Sequence, residues 1–402
     1  MTDRFETLDP GFPWRSDAVA WPVMTDVGRG LSGVVAGTTR VVWLDPSSGL
    51  LAYRGVPVED LALGSDFEEV AHLLVTGLRT EDDPDGFAEF RRLLRTSRRL
   101  PADVVGLLED MAPDTHPTRM LRAGVAALGC HEMSVADDLA GDTHWQAMRI
   151  LGQVVGLVGA VAQRRRGQPA VPPDDDVSLA DGVAASLLGR APAPHEVRSL
   201  DLVWVMYAAH GMDAPTFTSM IVASCLADPY ANLVAGLSAL RGSRYGGAAE
   251  QVVVQLESLG SAAEAEAWAA EVITSGGRIA GFGHRSLSMP DPRVAVLRKA
   301  FASLARRAAR HELVGTVRSV EDAATRLLAP KGVHVNLNLY GAPMFRLLGA
   351  EPPEIPNLVA AARTAGMVAM VREALDTIRL FRPLTRYVGP PERRLGPRGR
   401  DR

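Results

Sequence analysis

Apolar residues recur at helical spacing in a long series of separate stretches, and this leaves little of the chain for a sheet. The stretches run through 84–98, 118–130, 145–165, 178–189, 195–211, 216–227, 230–241, 246–258, 262–275, 292–310, 319–328 and 355–379. Proline or glycine clusters separate them, notably Gln168-Pro169-Ala170-Val171-Pro172-Pro173 with Asp174 to Asp176 after it. An earlier helix opens at Ser65-Asp66-Phe67-Glu68, which has the form of a capping box ahead of Phe67, Val70, Leu73 and Leu74. Only Gly33 to Tyr53 alternates β-formers, around a Pro-Ser-Ser-Gly turn, and predicts a short hairpin. The expected fold is mostly α. No repeat with a period of about 20 to 50 residues is visible, which argues against a solenoid.

A chain of 402 residues buries a large core without disulfides or metals, and 47% hydrophobic with 22% charged residues is a globular composition. A net charge of -4 predicts no broad basic surface for nucleic acid. Cys130 and Cys225 are the only cysteines, too few for a disulfide framework or a zinc site, so a reducing cytoplasm is expected. The opening MTDRFETLDPGFPW lacks the basic start and apolar core of a secretory signal. The longest apolar run, Ile150 to Ala162, closes on Arg164-Arg165-Arg166 and falls short of the roughly 20 residues of a membrane span, so it reads as a buried helix. Residues 1–30 read as an arm that orders only on a partner surface, and GPPERRLGPRGRDR as a disordered tail.

Three loops concentrate chemistry. Gly281-Phe282-Gly283-His284-Arg285, with Asp291-Pro292-Arg293 after it, sets an imidazole and two guanidiniums on a glycine-permitted turn before a helix. It is either an anion pocket or a tight surface turn. His210 closes an apolar helix ahead of Gly211-Met212-Asp213-Ala214-Pro215-Thr216, as a catalytic or a structural histidine. Gly242-Ser243-Arg244-Tyr245-Gly246-Gly247-Ala248-Ala249-Glu250 runs into a helix, as a ligand-facing loop or a plain interhelical turn.

These loops occur together and in order. With GVVAGTTRVVWLDPSSGLLAYRG near the start, then His116-Pro117-Thr118-Arg119-Met120-Leu121-Arg122, Arg164-Arg165-Arg166-Gly167, HGMDAPTFT, GSRYGGAAE, GFGHRSLSMPDPR and FRPLTRYVG, the region from about Gly30 to Gly389 resembles the citrate synthases and 2-methylcitrate synthases. The resemblance implies an all-α citrate synthase fold with a short N-terminal β-hairpin. It divides the chain into an arm (1–30), a large helical domain (31–212 and 327–390), an inserted smaller helical domain (213–326) and a tail (391–402). It also implies a homodimer whose active sites combine residues of both subunits, no permanently bound cofactor, no metal, no nucleic-acid or membrane partner, and an acyl-CoA cosubstrate that condenses with a di- or tricarboxylate-type oxo acid.

Residue by residue, Arg293, Arg363 and Arg382 match the family's carboxylate-binding arginines, Arg382 reaching the neighbouring subunit. His210 and His284 match its oxo-acid-binding histidines, with His284 the ketone polariser. Gly281, Phe282, Gly283 and Arg285 fall in the acyl-CoA-facing loop, although Ser286-Leu287-Ser288 replaces the usual V-Y-K. The proton-transfer pair differs: Tyr245 stands for the enol-binding histidine, and Asn338 in Asn336-Leu337-Asn338-Leu339-Tyr340-Gly341-Ala342 stands for the catalytic aspartate. An amide cannot take a proton. Asp213 replaces an asparagine and reads as a helix N-cap or a relocated base. The expected activity is therefore acyltransfer with an altered proton-abstraction site and an altered or specialised substrate; a slow conventional synthase and an inert carboxylate-binding paralogue are the other readings.

Overall fold

The computed structural model describes residues 30–31, 34–131, 143–243, 245–287, 289–377, 379–383 and 389. The expected arm, apart from Gly30, and the expected tail lie outside them, as do Arg244 and Ser288. Strands β1 (Val42–Asp45) and β2 (Leu50–Tyr53) pair antiparallel, Val42 opposite Tyr53 and Asp45 opposite Leu50. The Asp45 carboxylate shapes the turn by accepting from the Ser47 amide and from the Ser47 and Ser48 hydroxyls, and Gly49 closes it at φ +71°. The hairpin is present, but it begins at Val42 rather than Gly33, and β3 (Val56–Pro57) adds a third strand beyond Arg54 and Gly55.

Helices follow: α1 (Val58–Gly64), α2 (Phe67–Thr76), α3 (Pro84–Thr96), α4 (Ala102–Asp110), α5 (Pro117–Gly129), α6 (Thr143–Arg165), α7 (Leu179–Leu188), α8 (Pro194–Tyr207), α9 (Ala214–Ala223), α10 (Pro229–Leu240), α11 (Gly247–Glu257), α12 (Ala262–Thr274), α13 (Arg293–Arg307), α14 (His311–Leu328), α15 (Asn338–Leu347) and α16 (Ile355–Leu375). Local chemistry fixes many of the starts. Asp66, Asp83, His116, Ser178, Asp213, Asp228 and Ser261 each accept a first-turn amide, and Pro84, Pro117, Pro194 and Pro229 occupy first-turn positions where their missing N–H costs nothing. The capping box is one residue later than the sequence suggested: Asp66 and Glu69 form it, because Ser65 ends α1 and Glu68 is buried against Arg91 and Arg95.

At the centre lies α16, buried along most of its length and packed by α2, α6, α8, α9, α10 and α11. Helix α6 is long and apolar enough over Trp145–Arg165 to cross a membrane by length and composition, yet 72% of that apolar window is buried, against α16, α7, α5 and α3. It is a mostly buried helix as expected, although it is longer than the 150–162 run on which that expectation rested. Small residues bring α8 and α16 into close contact. The Gly366 amide donates to the Ala208 carbonyl at 3.1 Å, and a Cβ at Gly366 would stand only 2.5 Å from that oxygen. The C-terminal end of α8 is thereby set beside the middle of α16, where Arg363 sits.

Candidate active site

A helix C-terminus leaves carbonyls without intrahelical partners, and at the end of α8 two guanidiniums and a phenol take them. Arg293 donates to the Met206 carbonyl at 3.1 Å, and Arg363 Nε to the Tyr207 carbonyl at 2.8 Å. Tyr53, from β2, accepts the Ala209 amide at 3.1 Å and lies 3.0 Å from the Ala209 carbonyl and 3.2 Å from that of Val205. His210 emerges directly from this anchored end, 8% exposed. Asp291 holds Arg293 from the other side with two 2.8 Å hydrogen bonds to Nε and Nη2, both side chains 1% exposed, and also accepts the Leu337 amide at 3.1 Å. Burial raises the Asp291 pKa, but the Arg293 guanidinium outweighs it and leaves the group below its ordinary value.

His284 meets His210 edge to face, Nε2 to Nε2 at 2.8 Å. Its loop is pinned by a bridge between Phe282 and Val335, by the Gly283 amide on the His334 carbonyl and by Asn336 Nδ2 on the Gly283 carbonyl, with Gly281 and Gly283 at positive φ. Hydrogen bonding then assigns both tautomers. His284 Nδ1 accepts the Ser286 amide at 3.1 Å and the Leu287 amide at 2.9 Å, so its proton is on Nε2. His210 Nε2 must therefore accept, and its own proton is on Nδ1, a buried donor with no partner. An orphaned buried donor costs about 1–3 kcal/mol, a cost that a ligand oxygen would remove. Both rings are neutral at pH 7: burial, the Arg293 charge and the other neighbouring cations push His284 down to about 4 and His210 well below its ordinary value. The arrangement leaves one unpartnered neutral N–H, on His210 Nδ1, beside a His284–His210 hydrogen bond and two guanidiniums.

The family model for the citrate synthase C-terminal domain matches residues 30–384. The chain belongs to the citrate synthase family. It is 30% identical to the citrate synthase of Deinococcus radiodurans over 91% of this chain and 97% of that one, and 31% identical to a 2-methylcitrate synthase 2 of Corynebacterium glutamicum over 93% and 97%. Among solved structures it is similar to the citrate synthase of Thermoplasma acidophilum in its ternary complex with carboxymethyl coenzyme A and oxaloacetate. That likeness has a TM-score of 0.86 and 25% identity, covering 93% of this chain and 99% of that one. The all-α citrate synthase fold with its N-terminal sheet is the fold observed.

Around the end of α8 the structure brings His210, His284, Arg363 and Tyr245 together, with Arg293 anchored to the same helix end. Tyr245 arrives from a turn whose own amides are spent internally, on Leu240 and Gly242 carbonyls, so only its side chain serves the pocket. Its hydroxyl lies 3.0 Å from Arg363 Nη1 and donates to Asp213 Oδ2, which Arg363 Nη1 also contacts. Burial raises the Tyr245 pKa strongly, so the phenol stays protonated. Asp213 does cap α9, Oδ1 accepting from Thr216 at 3.0 Å, and in addition forms an ion pair with Arg363, the two side chains 5% and 4% exposed.

Asn338 opens α15 and accepts the Tyr207 hydroxyl at 2.7 Å, which ties it to the residue whose carbonyl Arg363 holds. Arg285 and Arg382 are exposed. Sequence reasoning missed the roles of Asp291, Tyr207 and Tyr53. Asp291 was visible beside Arg293, and Tyr207 lies one helical turn before His210, but nothing in the sequence tied Tyr53 to the end of α8.

Proposed function

We propose that the chain is an acyltransferase that forms a carbon–carbon bond by condensing an acyl-CoA or related thioester with a 2-oxo carboxylate, by an altered route of proton removal. The observation that carries this reading is the orphaned His210 Nδ1–H beside the His284 Nε2–H, flanked by two buried guanidiniums. In this reading the His284 Nε2–H gives up its bond to His210 Nε2 to polarise the substrate ketone, the unpartnered His210 Nδ1–H supplies a second donor to the oxo acid, and Arg293 and Arg363 orient its carboxylate side. Tyr245, whose hydroxyl donates to Asp213 in the structure, turns in this reading to donate to the developing enolate oxygen. Gly281, Phe282, Gly283 and Arg285 line the acyl-CoA approach, and Arg382 completes the site of a second copy in a cytoplasmic homodimer. The Thermoplasma acidophilum relative, whose complex holds a CoA derivative and oxaloacetate, supports this pairing of ligands.

Asn338 cannot accept the proton of an acetyl group, and general-base catalysis contributes about 10²- to 10⁴-fold. A thioester that loses carbon dioxide avoids the difficulty: its carbon–carbon bond breaks, the electron pair becomes the enolate, and no base is needed. Thiol release from acetyl-, propionyl- and malonyl-CoA, each with oxaloacetate and with 2-oxobutanoate, tests the proposal. The expected result is oxo-acid-dependent CoA release, fastest with malonyl-CoA. Fast release from acetyl-CoA would indicate a conventional synthase. Silence across the panel with 2-oxo acid binding retained would identify an inert carboxylate-binding paralogue, the reading that Asn338 also favours.

A further inference from the structure

Among the described residues of the candidate site, the buried charges cancel. Arg293 and Arg363 are its buried cations, and each is already matched by a buried carboxylate of this chain, Asp291 on the first and Asp213 on the second. The two histidines between them are neutral. Asp291 is committed by geometry to Arg293, with both oxygens occupied by the guanidinium and by the Arg293 and Leu337 amides. Asp213 differs in reach. One oxygen is fixed by the Thr216 amide at the start of α9, while the other faces Arg363 and Tyr245 within the pocket.

We propose that Asp213 sets the substrate charge of this site, so that it takes a 2-oxo acid with one carboxylate rather than two. The inference rests on the proposed binding of a 2-oxo acid by His210 and His284. A ligand carboxylate approaching Arg363 meets a guanidinium whose charge Asp213 already balances. Hydrogen-bond donors remain, because a guanidinium carries five N–H groups and only some of those of Arg363 are engaged here. A second ligand carboxylate would bring another negative charge beside Asp213 in a water-poor pocket, and an unmatched charge placed against a disfavoured ligand is a recognised route to specificity. The paired charges of the site sum to zero, so an Arg382 contributed by a second copy would supply the one positive charge that matches a single ligand carboxylate and would leave a second unmatched.

Oxaloacetate and 2-oxobutanoate form a suitable pair, because they share the 2-oxo carboxylate end and differ by a carboxylate in place of a methyl group. Isothermal titration calorimetry on the full chain, wild type and Asp213→Asn, reads both affinities. Asparagine keeps an N-cap acceptor for Thr216 and removes only the charge. The wild type is expected to bind 2-oxobutanoate roughly tenfold or more tighter than oxaloacetate, and Asp213→Asn to move that ratio roughly tenfold or more toward oxaloacetate. A wild-type preference for oxaloacetate overturns the proposal whatever the variant does, and decides the matter by itself if Asp213→Asn does not fold. A ratio that Asp213→Asn leaves within about threefold overturns it as well. Absence of binding by either acid to the wild type removes the 2-oxo acid reading itself, a result distinct from both.

Discussion

In the proposed reading, the catalytic difference between this chain and a conventional condensing enzyme comes down to a few atoms. Asn338, proposed to stand where a base would, is held in place on both sides: the Tyr207 hydroxyl donates to its Oδ1 at 2.7 Å, and its backbone amide donates to Asn336 Oδ1 at 3.0 Å. Replacing the amide by a carboxylate leaves an acceptor for Tyr207 and supplies the missing proton acceptor. Tyr245 adds a complication, because its proton is directed at Asp213 rather than at an incoming enolate. The double variant Asn338→Asp with Tyr245→His is therefore expected to raise kcat with acetyl-CoA above the wild type, toward the roughly 10²- to 10⁴-fold worth of a general base. Steady-state thiol release checks it. No gain in kcat would place the block in the thioester pocket instead of the proton-transfer pair.

At the level of elements, most helices were legible from apolar spacing, with caps and prolines sharpening many of their starts, and even the central α16 begins at the expected position 355; α1, α4 and α15 were not legible. Ser178, Asp213 and Asp228 gave starts within two residues of those expected, and Pro84 and Pro117 within one. Helix α15, which carries Asn338, escaped because Gly341 and Pro343 lie inside it. Tertiary contact explains the glycine: a Cβ there would come 2.7 Å from the Tyr207 ring. The candidate site residues were proposed from the order of their loops, whereas the charge pairing of Asp213 with Arg363, 150 residues apart, was not readable from either segment. The junction of α2 and α8 carries a pH dependence of the same hidden kind. Burial pushes Asp201 up to about 7, although it accepts the Phe67 amide. A carboxyl whose folded pKa exceeds its unfolded value of about 3.8 holds an extra native-state proton between the two, so stability from this group is lost as pH rises through that window. His284, lowered to about 4, acts oppositely, since the unfolded chain takes the proton first and stability is lost as pH falls from about 6.5. Asp201→Asn removes the first limb and keeps an acceptor for Phe67. Between pH 5 and 7 its Tm should rise more steeply than that of the wild type in a thermal melt; parallel curves would show that Asp201 titrates no differently in the two states.

For the whole molecule, the proposed dimer makes a prediction that no single subunit can satisfy. Arg382 lies exposed beyond the end of α16, in a segment that contributes no described contact to the pocket of its own chain. An apolar groove lined by Ile150, Leu226, Leu233, Met367, Val371 and Leu375 opens where α6, α10 and α16 meet, and Leu226 is 57% exposed. A closed pair of identical subunits would cover such a face and exchange equivalent residues across a twofold axis. If Arg382 acts in its neighbour's pocket, Arg382→Ala and Arg363→Ala should each abolish 2-oxo acid binding. Arg363→Ala would do so from within and Arg382→Ala from across the axis. Mixing the two after dissociation and reassociation yields mixed pairs in which one pocket lacks both arginines and the other keeps both. Roughly one quarter of the wild-type binding capacity should therefore return, at wild-type affinity, because about half of the pairs are mixed and each has one intact pocket. Calorimetric stoichiometry on the reassociated mixture measures it directly. Recovery of binding sites that neither parent shows would require a shared pocket, whereas continued silence in demonstrably mixed pairs would confine every ligand contact to one chain and remove Arg382 from the site.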